Sequence, residues 1–230
     1  MRNTINIKPD KDIFGRNLYS AKFVEDIDIK EKNILDIGCG YGWFELYAVD
    51  MGCKKIIGIE ISSKDLVTAK NSINNSNVDF IVADALKLPF DDGVFDTVVS
   101  WEVLEHLPKD TEIVFFKEVR RVLKDNGVFY FSTPSNALLA KIGDPAWWLQ
   151  GHRHYKVGSL SEIIKKSGLS VERLEIRGGI WEIIGMLNLY IAKWGFKRDI
   201  FLKNKFKILQ NEEFKKHGFT NIFMRLKKGA

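Results

Sequence analysis

Residues 32–62, KNILDIGCGYGWFELYAVDMGCKKIIGIEIS, restrict the fold more than any other part of the chain. A short apolar run, Asn33–Ile37, enters glycines at 38, 40 and 42, and a second apolar run ends on the carboxylate of Glu60. Apolar runs of this length closed by glycine read as buried strands, with residues 43–51 as a helix between them. Glycines at the end of a strand let the backbone pass very close to a ligand. The helix that follows offers free N–H groups at its N-terminus. In open α/β sheets, ligands bind beyond the carboxyl ends of the strands, where strand order reverses.

The alternation continues down the chain. Further strands are expected at 78–83, 94–100 and 128–132. Ser62 or Ser63 caps a helix running through Asn74. Residues 109–124 place Ile113, Phe116, Val119 and Leu123 on one helical face, and Asp125-Asn126-Gly127 ends that helix. Strands alternating with helices imply a parallel sheet covered on both faces, with right-handed crossovers. Beyond Thr133 the rhythm changes. Residues 135–158 are rich in Trp, His and Gly, and Trp147 and Trp148 are expected to fill the core beneath that segment. A helix at 159–168, a strand at 171–177, a strongly apolar helix at 180–194 and a last strand at 221–227 complete the reading. No repeat or linker is visible. The expectation is one domain over 1–230: a helical lead-in (1–31), a ligand-binding core (32–134), and substrate-facing additions with the last strands (135–230).

Composition excludes little and bounds the rest. The net charge of +5 is too small to argue for nucleic acid by itself. The two cysteines, Cys39 and Cys53, form no CxxC pair or zinc pattern, which fits a reducing compartment. The N-terminus is polar, without an apolar signal core, and no apolar stretch reaches the roughly eighteen residues of a spanning helix. A cytoplasmic protein is expected.

An acid at the end of the second strand accepts hydrogen bonds from both hydroxyls of a ribose, and Glu60 sits there. A dinucleotide asks for G-x-G-x-x-G, whereas the spacing here is D-x-G-x-G-x-G. Asp36 is poor company for a pyrophosphate and suits a cationic group such as the ammonium of a methionine moiety. The inferred ligand is S-adenosylmethionine.

At this point the chain resembles the class I S-adenosylmethionine-dependent methyltransferases over roughly residues 32–134. ILDIGCGYG is similar to that family's glycine-rich first motif, and IGIEIS to its second. FIVADALKLPF resembles the third, FDTVVSWEVLEHL the fourth-strand motif, and EVRRVLKDNGVFYFSTP the helix and fifth strand that follow. The resemblance implies a Rossmann-like, mostly parallel sheet of seven strands, helices on both faces, a reversed last hairpin, and helical or loop additions after strands five and six. It implies cofactor contacts from Asp36, Gly38, Cys39, Gly40, Glu60, Ile61, Asp84, Ala85, Ser100 and Trp101. Asp84 would meet the adenine amino group.

The sulfonium of such a cofactor makes its methyl group electrophilic already, so the protein mainly aligns acceptor, methyl and sulfur. An oxygen or nitrogen acceptor must also lose a proton, and His106, His152 and His154 are the expected proton acceptors. EVLEHL with FYFSTPSN also resembles two narrower groups: ubiquinone-biosynthesis O-methyltransferases and small-RNA 2′-O-methyltransferases. In the second, Glu102, Glu105, His106 and a distal histidine would hold a metal ion. The expectation is transfer without metal to a small-molecule or lipid-like acceptor at oxygen. An RNA methyltransferase, left open by Lys203, Lys205, Lys207, Lys215, Lys216, Lys227 and Lys228 although no separate RNA-binding module is visible, is an alternative, as are a dehydrogenase and a cofactor-binding protein without transfer. Residues 179–196 are apolar on almost every side and need cover. A lid over the substrate cleft is the preferred reading, and contact with a membrane surface the second.

Overall fold

The computed structural model describes residues 9–197 and 200–229; residues 1–8 of the expected lead-in lie outside them. Seven strands form one sheet: β1 (Asn33–Ile37), β2 (Lys55–Glu60), β3 (Val78–Val82), β4 (Phe95–Trp101), β5 (Leu123–Pro134), β6 (Leu169–Arg177) and β7 (Asn221–Lys228). Their order is β3-β2-β1-β4-β5-β7-β6. Strands β1 to β5 are mutually parallel, and β7 inserts antiparallel between β5 and β6. The expected seven-stranded sheet with its reversed last hairpin is therefore the observed one.

Successive residues of the central strands enter opposite cores. Leu35, Val98, Phe129, Phe131, Ile222 and Met224 face one core, closed by α4 (Glu112–Val122) and α7 (Val157–Lys166). Ile34, Val99, Tyr130 and Phe223 face the other, closed by α1 (Gly15–Phe23), α2 (Trp43–Asp50) and α9 (Lys203–Phe214). A strand buried on both faces is apolar at most positions, which is why β1, β4 and β5 read as apolar-rich runs.

Four details differ from the sequence reading. Helix α4 stops at Val122, and Asp125–Gly127 belong to an irregular entry into β5, with Asn126 at φ +63°. Ser62 occupies the N-cap position of α3 (Ser63–Ser72), but its side chain makes no capping hydrogen bond. Residues 135–156 hold two short helices, α5 (Leu138–Ile142) and α6 (Pro145–Gln150), and Trp148 on α6 is 66% exposed rather than part of a core. The apolar helix α8 (Ile180–Tyr190) passes into a wider π-type turn at Ile191–Gly195 and is followed by α9, which the sequence pattern did not announce.

β1 is flanked by β2 on one side and β4 on the other, so the crossovers leave it in opposite directions. The crevice this opens lies at the carboxyl ends of β1 and β4. Because β7 is reversed, its first residue, Asn221, pairs with Pro134 at the end of β5 and reaches the same edge.

Candidate active site

A cavity of about 900 Å³ occupies that edge. One half is built from the strand ends β1 to β4. The other lies under α8 and the segment joining α6 to α7.

In the first half the β1–α2 turn presents Gly38, Cys39, Gly40 and Tyr41 to the cavity. Gly38 has φ +78°, and a Cβ there would collide with Val103. Gly40 has φ +55°, and a Cβ there would meet nothing within 4 Å, so the backbone borders open space. Glu60, Ile61, Asp84, Ala85 and Trp101 line the same half. Glu60 Oε1 accepts from the backbone N–H groups of Ile61 (2.9 Å) and Ser62 (3.2 Å), which fixes the carboxylate at the strand end. Asp84 is similarly held by the Leu86 N–H at 2.9 Å. Cys39 is buried, and burial pushes its thiol far up, so it offers no nucleophile.

Two expected cofactor residues stand elsewhere. Ser100 does not line the cavity; its hydroxyl donates to the Ile37 carbonyl at 3.2 Å and ties β4 to β1. Asp36 is 2% exposed and lies against the fully buried carboxyl group of Glu45 on α2. Its neighbour is thus another acid, because the first turn of α2 folds Glu45 back over the end of β1. Gly58 on β2 makes the room, since a Cβ there would run into Glu45 and Cys39. Burial, then the charge of Glu60, pushes Asp36 up to about 8, and burial with Asp36 raises Glu45 well above its ordinary value. Such a pair keeps a proton at neutral pH.

The sign of the linkage follows. The native pair holds protons that the unfolded chain has released above pH ~4, so the stability of the ligand-free protein falls as pH rises from ~4 towards 8. Glu45→Gln is expected to flatten that fall by about 2 kcal/mol. Urea unfolding midpoints across this range check it; equal slopes in both proteins would remove the shared proton.

In the second half the parity of an extended segment sets the site. Residues 152–155 run beside the end of β5, with Ser135 bridged to Tyr155 in parallel. Alternate side chains therefore point opposite ways. Arg153 pairs with Glu112 and donates to the carbonyls of Leu104 and Leu107, both at 2.7 Å, and the Tyr155 hydroxyl donates to the Leu104 carbonyl. His152 and His154 face the cavity and meet one carboxylate: Asp144 Oδ2 lies 3.2 Å from His152 Nδ1 and 3.1 Å from His154 Nε2. Asp144 is the N-cap of α6, its Oδ1 accepting from the Ala146 N–H. Although burial opposes ionisation, hydrogen bonds from the two histidines hold Asp144 well below the usual carboxylate range.

An ionised carboxylate only accepts, so His152 donates from Nδ1, which in a neutral ring leaves the lone pair on Nε2. That Nε2 is buried and without a hydrogen-bond partner. His154 differs: its Nδ1 faces the Ser135 carbonyl at 2.8 Å and its Nε2 faces Asp144. With both ring nitrogens engaged, His154 offers no open nitrogen to the cavity. The His106 ring is open to the cavity and packs edge-to-face on His152, ring centroids 4.2 Å apart. Desolvation by the surrounding cavity wall, then His152, holds His106 well below the ordinary imidazole value.

Behind these rings stands a polar wall that sequence reading did not assemble. Glu102, at φ +55° just beyond β4, accepts from Arg16 of α1 (2.7 Å) and from the Ser132 hydroxyl (2.6 Å). Arg16 also lies 3.6 Å from Glu182 of α8, which accepts from Thr220 and Asn221. Glu105 is buried against Thr133, and burial with Glu102 raises it well above its ordinary value. These bonds direct the glutamates to separate partners, and among the described residues no group of three or more His, Cys, Asp or Glu is arranged to hold a metal ion.

An open α/β sheet with a glycine turn at its switch point and an acid on the neighbouring strand end defines a nucleoside-binding protein. Residues 35–131 match the family described as "Methyltransferase domain". The chain is 31% identical over 189 residues to the ubiquinone biosynthesis O-methyltransferase of Pelagibacter ubique, covering 74% of this chain and 77% of that one. It is 39% identical over 109 residues to ajmaline N-methyltransferase of Rauvolfia serpentina and 37% identical over 109 residues to the chloroplastic tocopherol O-methyltransferase of Arabidopsis thaliana. Those matches take in 44% and 45% of this chain but only 36% and 30% of the plant proteins. A solved S-adenosylmethionine-dependent methyltransferase from Mesorhizobium loti shares the fold at TM-score 0.64 and 19% identity, covering 90% of this chain and 95% of that one. The chain belongs to the class I S-adenosylmethionine-dependent methyltransferases. Its residues fit that methyl donor: Gly40 leaves an open cradle, Glu60 is fixed at the β2 end, and Asp36 keeps a buried carboxyl oxygen without a partner behind the turn.

Proposed function

We propose that the protein transfers a methyl group from S-adenosylmethionine to a hydroxyl oxygen of a small, partly apolar acceptor. Gly38, Cys39 and Gly40 hold the methionine end, Glu60 the ribose hydroxyls, and Asp84 with Ala85 the adenine. The bound donor supplies a methyl group already activated by its sulfonium. What remains for the chain is to orient the acceptor and remove its proton.

The observation that carries the reading is the unpartnered Nε2 of His152, fixed as a proton acceptor by Asp144. His152 takes the acceptor's hydroxyl proton at Nε2, and Asp144 stabilises the charge that forms on the ring. The His106 ring, neutral and open to the cavity, is the surface an acceptor displaces to reach His152. Ile183, Met186, Leu189 and Tyr190 of α8 supply apolar cover, consistent with the O-methyltransferase names of two relatives.

The test is a screen of hydroxylated acceptors with methyl-labelled S-adenosylmethionine, run with and without excess chelator. Label is expected in an ether or ester product, and turnover is expected to survive chelation. Loss of turnover restored by manganese would overturn the metal-free mechanism. Label found only on amines would overturn the oxygen assignment.

A further inference from the structure

Helix α8 has two apolar sides, and only one of them is used by the cavity. Ile183, Met186 and Leu189 point inward. Ile180, Ile184, Leu187 and Ile191 recur every three to four residues, form a stripe along the opposite side, and are all exposed. Exposed apolar side chains also lie on the neighbouring helices. Gly143, just after α5, lies so close to Ile183 that a Cβ there would come within 2.7 Å of it, which seats α5 and α6 beside α8. These two short helices carry further exposed apolar side chains, Leu138 (71% exposed), Trp148 (66%) and Leu149 (65%), and Phe196 (64%) follows the π-type turn. Single exposed apolar residues need no explanation, but a contiguous surface rimmed by polar groups marks an interaction site.

The charge around this surface is one-signed. Within residues 136–156 and 180–197 the acids are Asp144 and Glu182, and both are buried in the site behind. Of the basic residues in the same stretches, Arg153 is paired with Glu112 and Lys193 lines the cavity, while Lys141, Lys156 and Lys197 remain for the rim, Lys156 and Lys197 being exposed. No described helix is long and apolar enough to cross a membrane. An apolar helix face with a basic rim and a tryptophan at its edge has the make-up of a segment that lies in a bilayer interface.

We infer that α5, α6 and the outer face of α8 dock this protein onto an anionic bilayer surface. A second copy of the chain is the weaker occupant, because a two-fold contact would set the same basic rim against itself. Docking of α8 places the mouth of the cavity at the bilayer surface, so an acceptor dissolved in the lipid reaches the site without crossing water. This deepens the proposed reading by giving the acceptor a class, a lipid-soluble hydroxyl compound. The docking itself does not depend on methyl transfer.

The test is flotation of the full chain with phosphatidylcholine vesicles, with and without phosphatidylglycerol, at low and high salt, with no acceptor present. The protein is expected to float with the anionic vesicles, poorly with the neutral ones, and less at high salt. Ile184→Asp and Trp148→Asp, whose side chains do not line the cavity, are each expected to cut the bound fraction at least tenfold. Val67→Asp, an exposed apolar position on α3, is expected to leave it unchanged. S-adenosylmethionine affinity and thermal melting, read on the same variants, establish that they are folded. No flotation of the wild type, or equal flotation of all variants, would overturn the inference. So would a dimer in gel filtration that Ile184→Asp dissociates while vesicle binding stays absent. Because flotation needs no turnover, its failure leaves the methyl-transfer reading standing.

Discussion

His152→Ala is expected to lower kcat for methyl transfer by about 10²–10⁴-fold, the usual worth of a general base, without changing the affinity for S-adenosylmethionine. His152 lies in the acceptor half of the cavity, whereas the glycine turn and Glu60 lie in the other. Asp144 acts through His152 and is a positioning residue. Asp144→Asn is its informative variant, because asparagine caps a helix as well as aspartate does. The N-cap contact to Ala146 is retained, while the charge that fixes the tautomer of His152 is lost. A loss of about a hundredfold in kcat with an altered pH profile is expected, at nearly unchanged melting temperature. His106→Ala should act mainly on KM for the acceptor. If His106→Ala costs as much in kcat as His152→Ala, the proton goes to His106 instead. If His152→Ala is fully active, neither assignment stands.

How far this site was legible depends on whether its parts are local. The β1 turn and Glu60 lie within thirty residues of one another, and the backbone conformation itself demands glycine, so residue type and spacing carry the message. The two histidines could be found as a pair because residues 152 and 154 share a side in an extended segment. Their partner could not. Asp144 before Pro145 announces a helix N-cap and nothing more; its second role exists only because the chain returns eight and ten residues later. Arg16, Glu102, Glu182 and Asn221 are spread over two hundred residues and meet only when α1, β4, α8 and β7 converge at one sheet edge. No period or motif encodes such a meeting.

The same distinction explains the fold. The central strands were readable because both their faces are buried, so apolar residues dominate Ile34–Ile37, Val98–Val99 and Val128–Phe131. Helix α9, KNKFKILQNEEF, was not, because it buries only Phe206, Gln210 and Phe214 and leaves its lysines and Ile208 outside. Glu45 shows the opposite limit. A glutamate in an apolar helix reads as its solvent side, yet this one is fully buried beside Asp36. Its place became available through the missing side chain of Gly58, two strand positions before Glu60.

Gly40→Val and Glu60→Ala are expected to weaken S-adenosylmethionine binding by at least a hundredfold each. For Glu60→Ala the loss is two charge-assisted hydrogen bonds to the ribose hydroxyls, each worth about 1.5–3 kcal/mol. For Gly40→Val the reason is space. A Cβ at Gly40 meets no protein atom within 4 Å, so the protein tolerates the side chain and only a ligand seated on the turn excludes it. The positive φ of Gly40 adds a backbone cost of about 1–2 kcal/mol for any branched residue, which would lower stability whether or not a ligand binds. Gly52→Val separates the two effects. Gly52 has φ +81°, its Cβ position has only Lys30 Cγ nearby at 4.0 Å, and it lies outside the cavity. It should melt lower and bind S-adenosylmethionine normally, while Gly40→Val should melt lower and bind poorly. Titration calorimetry on the three variants and the wild type reads both quantities. Wild-type affinity in Gly40→Val and Glu60→Ala together would move the donor site away from the β1 turn, and equal losses in Gly40→Val and Gly52→Val would reduce the effect to backbone strain.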